Sequence, residues 1–210
     1  MRSKIILSVL FFLWLNIPLH AQRKQQVGQT ISEDPMITDT YISIGTGINY
    51  NTGILGVQFE KKFTQSFAGY LGAGLGSWGY KLTLGTRMYY GETRSSAFSF
   101  SYTYVTGASG VQANLYVVDS AYLTGQGKQI PVKYDMNPVS VVNASWLKYW
   151  KMGKKSRFNI ELGYSFLVNS NTEANYTLKD KIVLTDASKA AFKIIQPGGI
   201  MVGIGFSFGL

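Results

Sequence analysis

The chain contains no cysteine and one histidine, His20, and only 15% of its residues are charged. Without cysteine there is no disulfide, no thiolate nucleophile and no lipid-modified cysteine. The lone histidine lies in a stretch that reads as a removable leader, so the remaining chain has no imidazole. That excludes Ser-His acyl chemistry and most transition-metal sites. Carboxylate or Ser-Lys chemistry finds no supporting spacing, and the chain is expected to be non-enzymatic, with no cofactor and no metal. Long apolar runs are also missing. The longest, Ile5 to Leu15, is interrupted only by Ser8 and is too short to cross a bilayer as a helix, which takes about 20 residues.

That run follows Arg2 and Lys4 and ends near Pro18 and Ala21, the pattern of a cleaved secretory signal over residues 1–21. Residues 22–38 are Gln-rich, without a sustained period, and read as a flexible periplasmic lead-in. Of the 20 Lys and Arg, only Arg2 and Lys4 fall within the signal, so an excess over the 11 acids persists.

From residue 39 the sequence takes up a period of two, the signature of strands, which lapses only over 107–137 and 169–197. It is clearest at the C-terminus. There Ile200, Val202, Ile204, Phe206, Phe208 and Leu210 alternate with Gly199, Met201, Gly203, Gly205, Ser207 and Gly209. Seven earlier segments repeat the pattern: 40–49, 55–62, 66–75, 80–90, 97–106, 139–150 and 158–168. In 139–150 the parity is ambiguous, since Val139, Val141 and Leu147 compete with Val142, Trp146 and Trp150, and a bulge is expected there. Eight strands of about ten residues match the length of a tilted membrane-crossing strand. The long connections, 107–137 and 169–197, fall at the same end if the first strand runs outward. Both contain strand-like stretches, Leu115 to Val118 and Ile130 to Val132 in the first and Lys181 to Leu184 in the second, that could stand above the membrane as hairpins.

Two readings of the alternation compete. A soluble barrel would turn its apolar face inward and carry charge outside. Here the second face is mostly Gly, Ser, Thr and Asn, which suits a narrow packed lumen. Aromatics near strand ends (Tyr41, Tyr50, Tyr80, Tyr89, Tyr90, Trp146, Tyr149 and Trp150) fit interfacial girdles. The reading adopted is therefore an all-β, eight-stranded antiparallel up-and-down transmembrane β-barrel in the cell outer membrane.

In this pattern the chain resembles the small eight-stranded bacterial outer-membrane barrels of the OmpA transmembrane-domain and OmpX kind. The resemblance spans roughly Tyr41 to Leu210. It implies a C-terminal assembly signal, matched by Gly203, Phe206 and Phe208. Met201 stands where a polar residue is usual, and Gly209 and Leu210 extend past the last aromatic. The partners implied are outer-membrane lipid and the barrel-assembly machinery.

Other motifs carry less. Gly74-Leu75-Gly76-Ser77-Trp78-Gly79 matches the dinucleotide fingerprint, but a strand follows where that motif needs a helix, so it reads as a hairpin turn. Asp119-Ser120-Ala121 resembles a bacterial O-glycosylation sequon. The basic runs Lys61-Lys62 and Lys151 to Arg157 lie in turns without a basic-aromatic stripe between them, which argues against nucleic acid and for head groups or solvent. The inward charges are few: Glu60, Arg87 and Glu161 low on their strands, and Lys81 higher. Parity and counted depth predict that Arg87 bridges Glu60 and Glu161, with Lys81 as second cation. The functional expectation is an envelope-structural or surface-interaction barrel, acting on host or surface proteins through loops 107–137 and 169–197. The alternative is a narrow ion or small-solute channel.

Overall fold

The structure is a computed structural model that describes residues 39–118, 128–169, 171–180 and 182–210. The signal and lead-in expected over 1–38, and the 119–121 sequon, lie outside these residues.

Eight strands close into a barrel: β1 (Thr40–Ile48), β2 (Leu55–Lys62), β3 (Phe67–Gly76), β4 (Gly79–Tyr90), β5 (Ser96–Val105), β8 (Val139–Lys151), β9 (Ser156–Leu167) and β11 (Gly199–Gly209). The barrel order is β1-β11-β9-β8-β5-β4-β3-β2, and every neighbouring pair is antiparallel. Once the strands outside the barrel are skipped, each strand pairs with the next in sequence, an up-and-down meander. The C-terminal strand closes it: Phe206 pairs with Ile44 of β1 on one side and with Phe158 of β9 on the other.

The alternation resolves into an apolar outside and a small or polar inside. One residue from each stave marks the outer belt: Ile44, Val57, Leu71, Leu84, Phe100, Val142, Leu162 and Ile204. All are between 42% and 63% exposed. Their sequence neighbours, such as Ser43, Gln58, Thr83, Ser99, Ser101 and Asn143, are buried.

The bulge expected in 139–150 is absent. β8 pairs without a register shift to β5 and to β9, and its odd positions from Val139 to Tyr149 are all buried. Val139 is apolar because it joins a core at the loop end of the barrel, and Val141, also buried, follows it on the same face. Asn143 and Ser145 are polar because they line mid-lumen, and Leu147 and Tyr149 join a second apolar cluster with Ala68, Tyr89 and Ala97 at the other end. The apparent change of parity reflects a lumen that is layered, not a change of face.

The described parts of the two long connections fold. β6 (Ala108–Val117) and β7 (Lys128–Met136) pair as antiparallel strands, and β10 (Tyr176–Leu178) adds to β7, giving a three-stranded sheet separate from the barrel. A helix that the sequence reading missed, α1 (Asp186–Ile195), follows. Thr185 caps it through its side chain, with Asp186 in its first turn and Lys193 in its last. These pieces share one core. Phe192 of α1 stacks on Tyr176 and meets Tyr134 edge-on, and Trp78, Val105, Val132 and Val139 complete it. Since Val105 and Val139 are the last inward residues of their staves, the core continues the lumen and forms a cap. The fingerprint-like Gly74–Gly79 is the β3–β4 hairpin: Gly76 pairs with Gly79, and Trp78 between them is fully buried in the cap. Trp78 Nε1 donates to the Asn137 carbonyl at 3.0 Å.

Candidate functional site

Buried polar and charged side chains of the described residues converge in the lumen, and its centre is occupied by the β1–β2 turn. Asn51, Thr52 and Gly53 read as a turn in sequence. In the fold, Tyr50, Asn51 and Thr52 are at most 1% exposed, because the turn bends into the barrel. Asn51 bonds to four staves. Its Nδ2 donates to Glu161 Oε1 at 2.8 Å on β9 and to Tyr70 OH at 3.1 Å on β3. Its Oδ1 accepts from Ser101 Oγ at 3.1 Å on β5, and its carbonyl from Thr83 Oγ1 at 2.6 Å on β4. Lys81 Nζ donates to the Tyr50 carbonyl at 3.1 Å. A buried backbone turn needs such partners for its polar groups.

The glycines of the inner face make room for this turn. A β-carbon on Gly45 would stand 2.8 Å from the Tyr50 hydroxyl, and one on Gly72 2.6 Å from Thr52 Cγ2. The small-residue face is therefore a mould for Tyr50 and Thr52.

Nearer the end where β1 begins and β11 finishes lies the ion network. Glu60, fully buried, accepts from Arg87 Nη1, from Arg157 Nη2 at 2.8 Å and from Tyr89 OH at 2.6 Å. Arg87 also donates to Gln58 Oε1 at 2.6 Å. Its guanidinium stacks over Tyr70 at 4.3 Å, while that of Arg157 lies over Tyr41 at 3.8 Å and Tyr149 at 4.3 Å. One carboxylate thus holds two guanidinium groups, each packed on aromatic faces, the arrangement that suits buried arginine.

The four residues expected to face inward, Glu60, Arg87, Glu161 and Lys81, are all buried. Their grouping differs from the expectation. Arg87 joins Glu60 but does not bridge to Glu161, which accepts instead from the neutral donors Asn51 and Ser145 (2.5 Å). Lys81 serves the turn, not the acids. The reason is barrel stagger. Followed through register partners from Tyr41 to Glu60, Tyr70, Gly85, Ser101, Asn143, Ser165 and Gly199, the path climbs by about ten residues per circuit. Equal distance from a strand end is therefore not equal depth. Arg157 and Lys62 were assigned to turns, yet both are buried. The signal was present: Arg157, Asn159 and Glu161 share one parity, as do Gln58, Glu60 and Lys62.

The girdle reading needs a matching correction. Tyr41, Tyr50, Tyr89 and Tyr149 are inside the barrel, whereas Tyr80, Tyr90, Trp146 and Trp150 point outward. Gly203 faces Tyr50 in the lumen, while Phe208 is 47% exposed on the outside and packs edge-on against Phe206, centroids 4.8 Å apart. Among the described residues no three acidic side chains converge as metal ligands would.

No protein-family model matches the chain, and no curated protein matches it. Among solved structures it is similar to the N-terminal β-barrel domain of Pseudomonas aeruginosa OprF. The likeness covers 81% of this chain and 96% of that one at 12% identity, with a TM-score of 0.43.

Proposed function

We propose that this protein is a non-enzymatic outer-membrane β-barrel that reinforces the cell envelope or contacts surface partners through loops 107–137 and 169–197, whose described parts form the cap. The observation that carries the membrane reading is the outer belt of half-exposed Ile, Leu, Val and Phe on all eight staves. A contiguous apolar surface of that extent needs an apolar solvent. A soluble barrel would carry these residues inside, where this one carries Ser, Thr, Asn and an ion network.

The cap supports the interaction reading. The outer edge of β6 is covered at Tyr116, whose carbonyl accepts from Thr185 and Ser188, and at Val118, whose N–H reaches the Val183 carbonyl. Among the described residues, Gln112 and Asn114 remain on the exposed part of that edge, a short template for strand addition by a partner. The filled lumen speaks against the narrow-channel alternative.

The test is fractionation of the expressed protein, with gel mobility before and after heating in detergent. The proposal expects recovery with outer membranes and a heat-dependent band shift. Recovery as a soluble periplasmic monomer without a shift would overturn it.

A further inference from the structure

The helix of the cap, α1, descends to the barrel rim. Its start is pinned high in the cap, where the Thr185 N–H donates to the Tyr116 carbonyl at 3.0 Å, near the far end of β6. Its last residue meets the barrel: Ser77 Oγ, in the β3–β4 hairpin, donates to the Ile195 carbonyl at 3.1 Å. Just beyond, the Gly198 carbonyl accepts from Asn49 Nδ2 at 2.6 Å, at the end of β1. Residues 195–198 therefore cross the rim from the β3–β4 hairpin to β1, past the turn that bends into the lumen.

The outward residues of α1 change on the way down. Ser188 and Phe192 are buried against the cap, while Ala187, Ala190 and Ile194, spaced by three and four, share the opposite face. In the upper turns that face is small, and Lys189 beside it makes a solvent-open ion pair with Glu173 at 2.9 Å. In the last turn Ile194 is 82% exposed, next to the exposed Lys193. The barrel below is apolar up to the same rim. Ile48, Leu55, Leu75 and Ile200, the outward residues nearest it on four neighbouring staves, are between 51% and 72% exposed. A large apolar side chain thus appears on the outer face of the helix where the helix reaches the edge of the belt.

From this descent and the change of residue at its foot, we infer that the last turn of α1 rests on the bilayer. Ile194 enters the boundary between head groups and acyl chains of the leaflet on the cap side, and Lys193 stays at head-group level. Interfacial helices place their apolar side chains about 5–10 Å into that boundary, and the long stem of a lysine keeps its ammonium in the polar layer. A second copy of the chain is the other occupant to consider. One isoleucine below a row of alanines is a small patch beside the roughly 1,200 Å² that a stable protein interface buries, whereas lipid already meets the belt with which it is continuous. The inference rests on the membrane reading above, and its test separates the two.

The test places nitroxide labels on Ala187→Cys, Ile194→Cys and Leu84→Cys, one variant at a time, in the full chain refolded into dioleoyl phosphatidylcholine vesicles. Ala187 stands about 10 Å further up the helix axis than Ile194, and Leu84 reports on the belt. Folding is checked first by heat-dependent gel mobility, which substitution at these exposed positions should leave intact. Collisions with oxygen and with a water-soluble nickel chelate are then compared. The ratio of oxygen to nickel should be several-fold higher at Ile194 than at Ala187 and should approach that at Leu84. A nickel-dominated Ile194 with an oxygen-dominated Leu84 overturns the foot and leaves the membrane reading standing. Few collisions with either reagent at Ile194 mean that protein covers it, such as a second copy, and overturn the foot as well. Nickel dominance at both Leu84 and Ile194 overturns the membrane reading, and the foot with it.

Discussion

The ring of Tyr50 lies so close against Gly203 that a β-carbon added there would stand 2.6 Å from Cε2. The turn between the first two strands and the strand that closes the barrel are thus fitted to each other across the lumen. This gives Gly203 a structural reason independent of any part it has in assembly.

Gly203→Ala should therefore lower stability by about 1–3 kcal/mol, the usual cost of overpacking. Tyr50→Ala should be costly alone, through the cavity it leaves, at about 3–5 kcal/mol. In the double variant the clash is gone, so the combined loss should be smaller than the sum of the two. Urea midpoints of the three variants refolded in lipid vesicles measure this coupling. Strict additivity would mean that the ring does not sit where described.

A second expectation separates two carboxylates that look alike in sequence. Glu60 holds Arg87 and Arg157, so Glu60→Gln leaves two buried guanidinium groups without a counter-charge, at about 3–5 kcal/mol. Glu161 meets neutral donors, so Glu161→Gln should cost about 1 kcal/mol or less. The same urea titration ranks them, and equal losses would contradict the assignment of partners.

These two cases also mark what could be read from the residues. The eight staves and their faces were legible because one face is large and apolar and the other small and polar. Even the ambiguous β8 keeps a strict period once its layers are seen. The lumen's wiring was not legible. A turn signal such as Asn51-Thr52-Gly53 does not say whether the turn points to solvent or into the barrel. Counting from strand ends ignores stagger, which set Glu161 apart from Arg87. Neighbouring aromatics such as Tyr89 and Tyr90 are chemically similar yet face opposite sides. The α1 helix was overlooked although Thr185, the alanines Ala187, Ala190 and Ala191, and Lys193 gave start, body and end signals.

The cap has its own titration. Asp135 lies below the ordinary carboxylate range, chiefly because the Gly110 N–H donates to it at 2.6 Å, with Lys179 at 3.4 Å adding to the effect. A carboxyl depressed in the folded state stabilises it above the unfolded pKa and loses that contribution as pH falls through the folded value. The β6–β7 hairpin should therefore loosen only in acid, below the normal aspartate range. The amide proton shift of Gly110, followed by NMR from neutral to acid pH, should titrate with a low midpoint, and Asp135→Asn should flatten it. A midpoint at or above the ordinary aspartate value would contradict the contact.

The central claim is that the outer belt meets lipid. Since the chain has no cysteine, each introduced one is unique. Nitroxide labels at Ile44, Leu84, Phe100 and Ile204, one at a time in the refolded protein in vesicles, report collisions with oxygen and with a water-soluble nickel chelate. The account predicts that oxygen dominates at all four sites. Dominance of the nickel chelate at these positions would place the belt in water and contradict it.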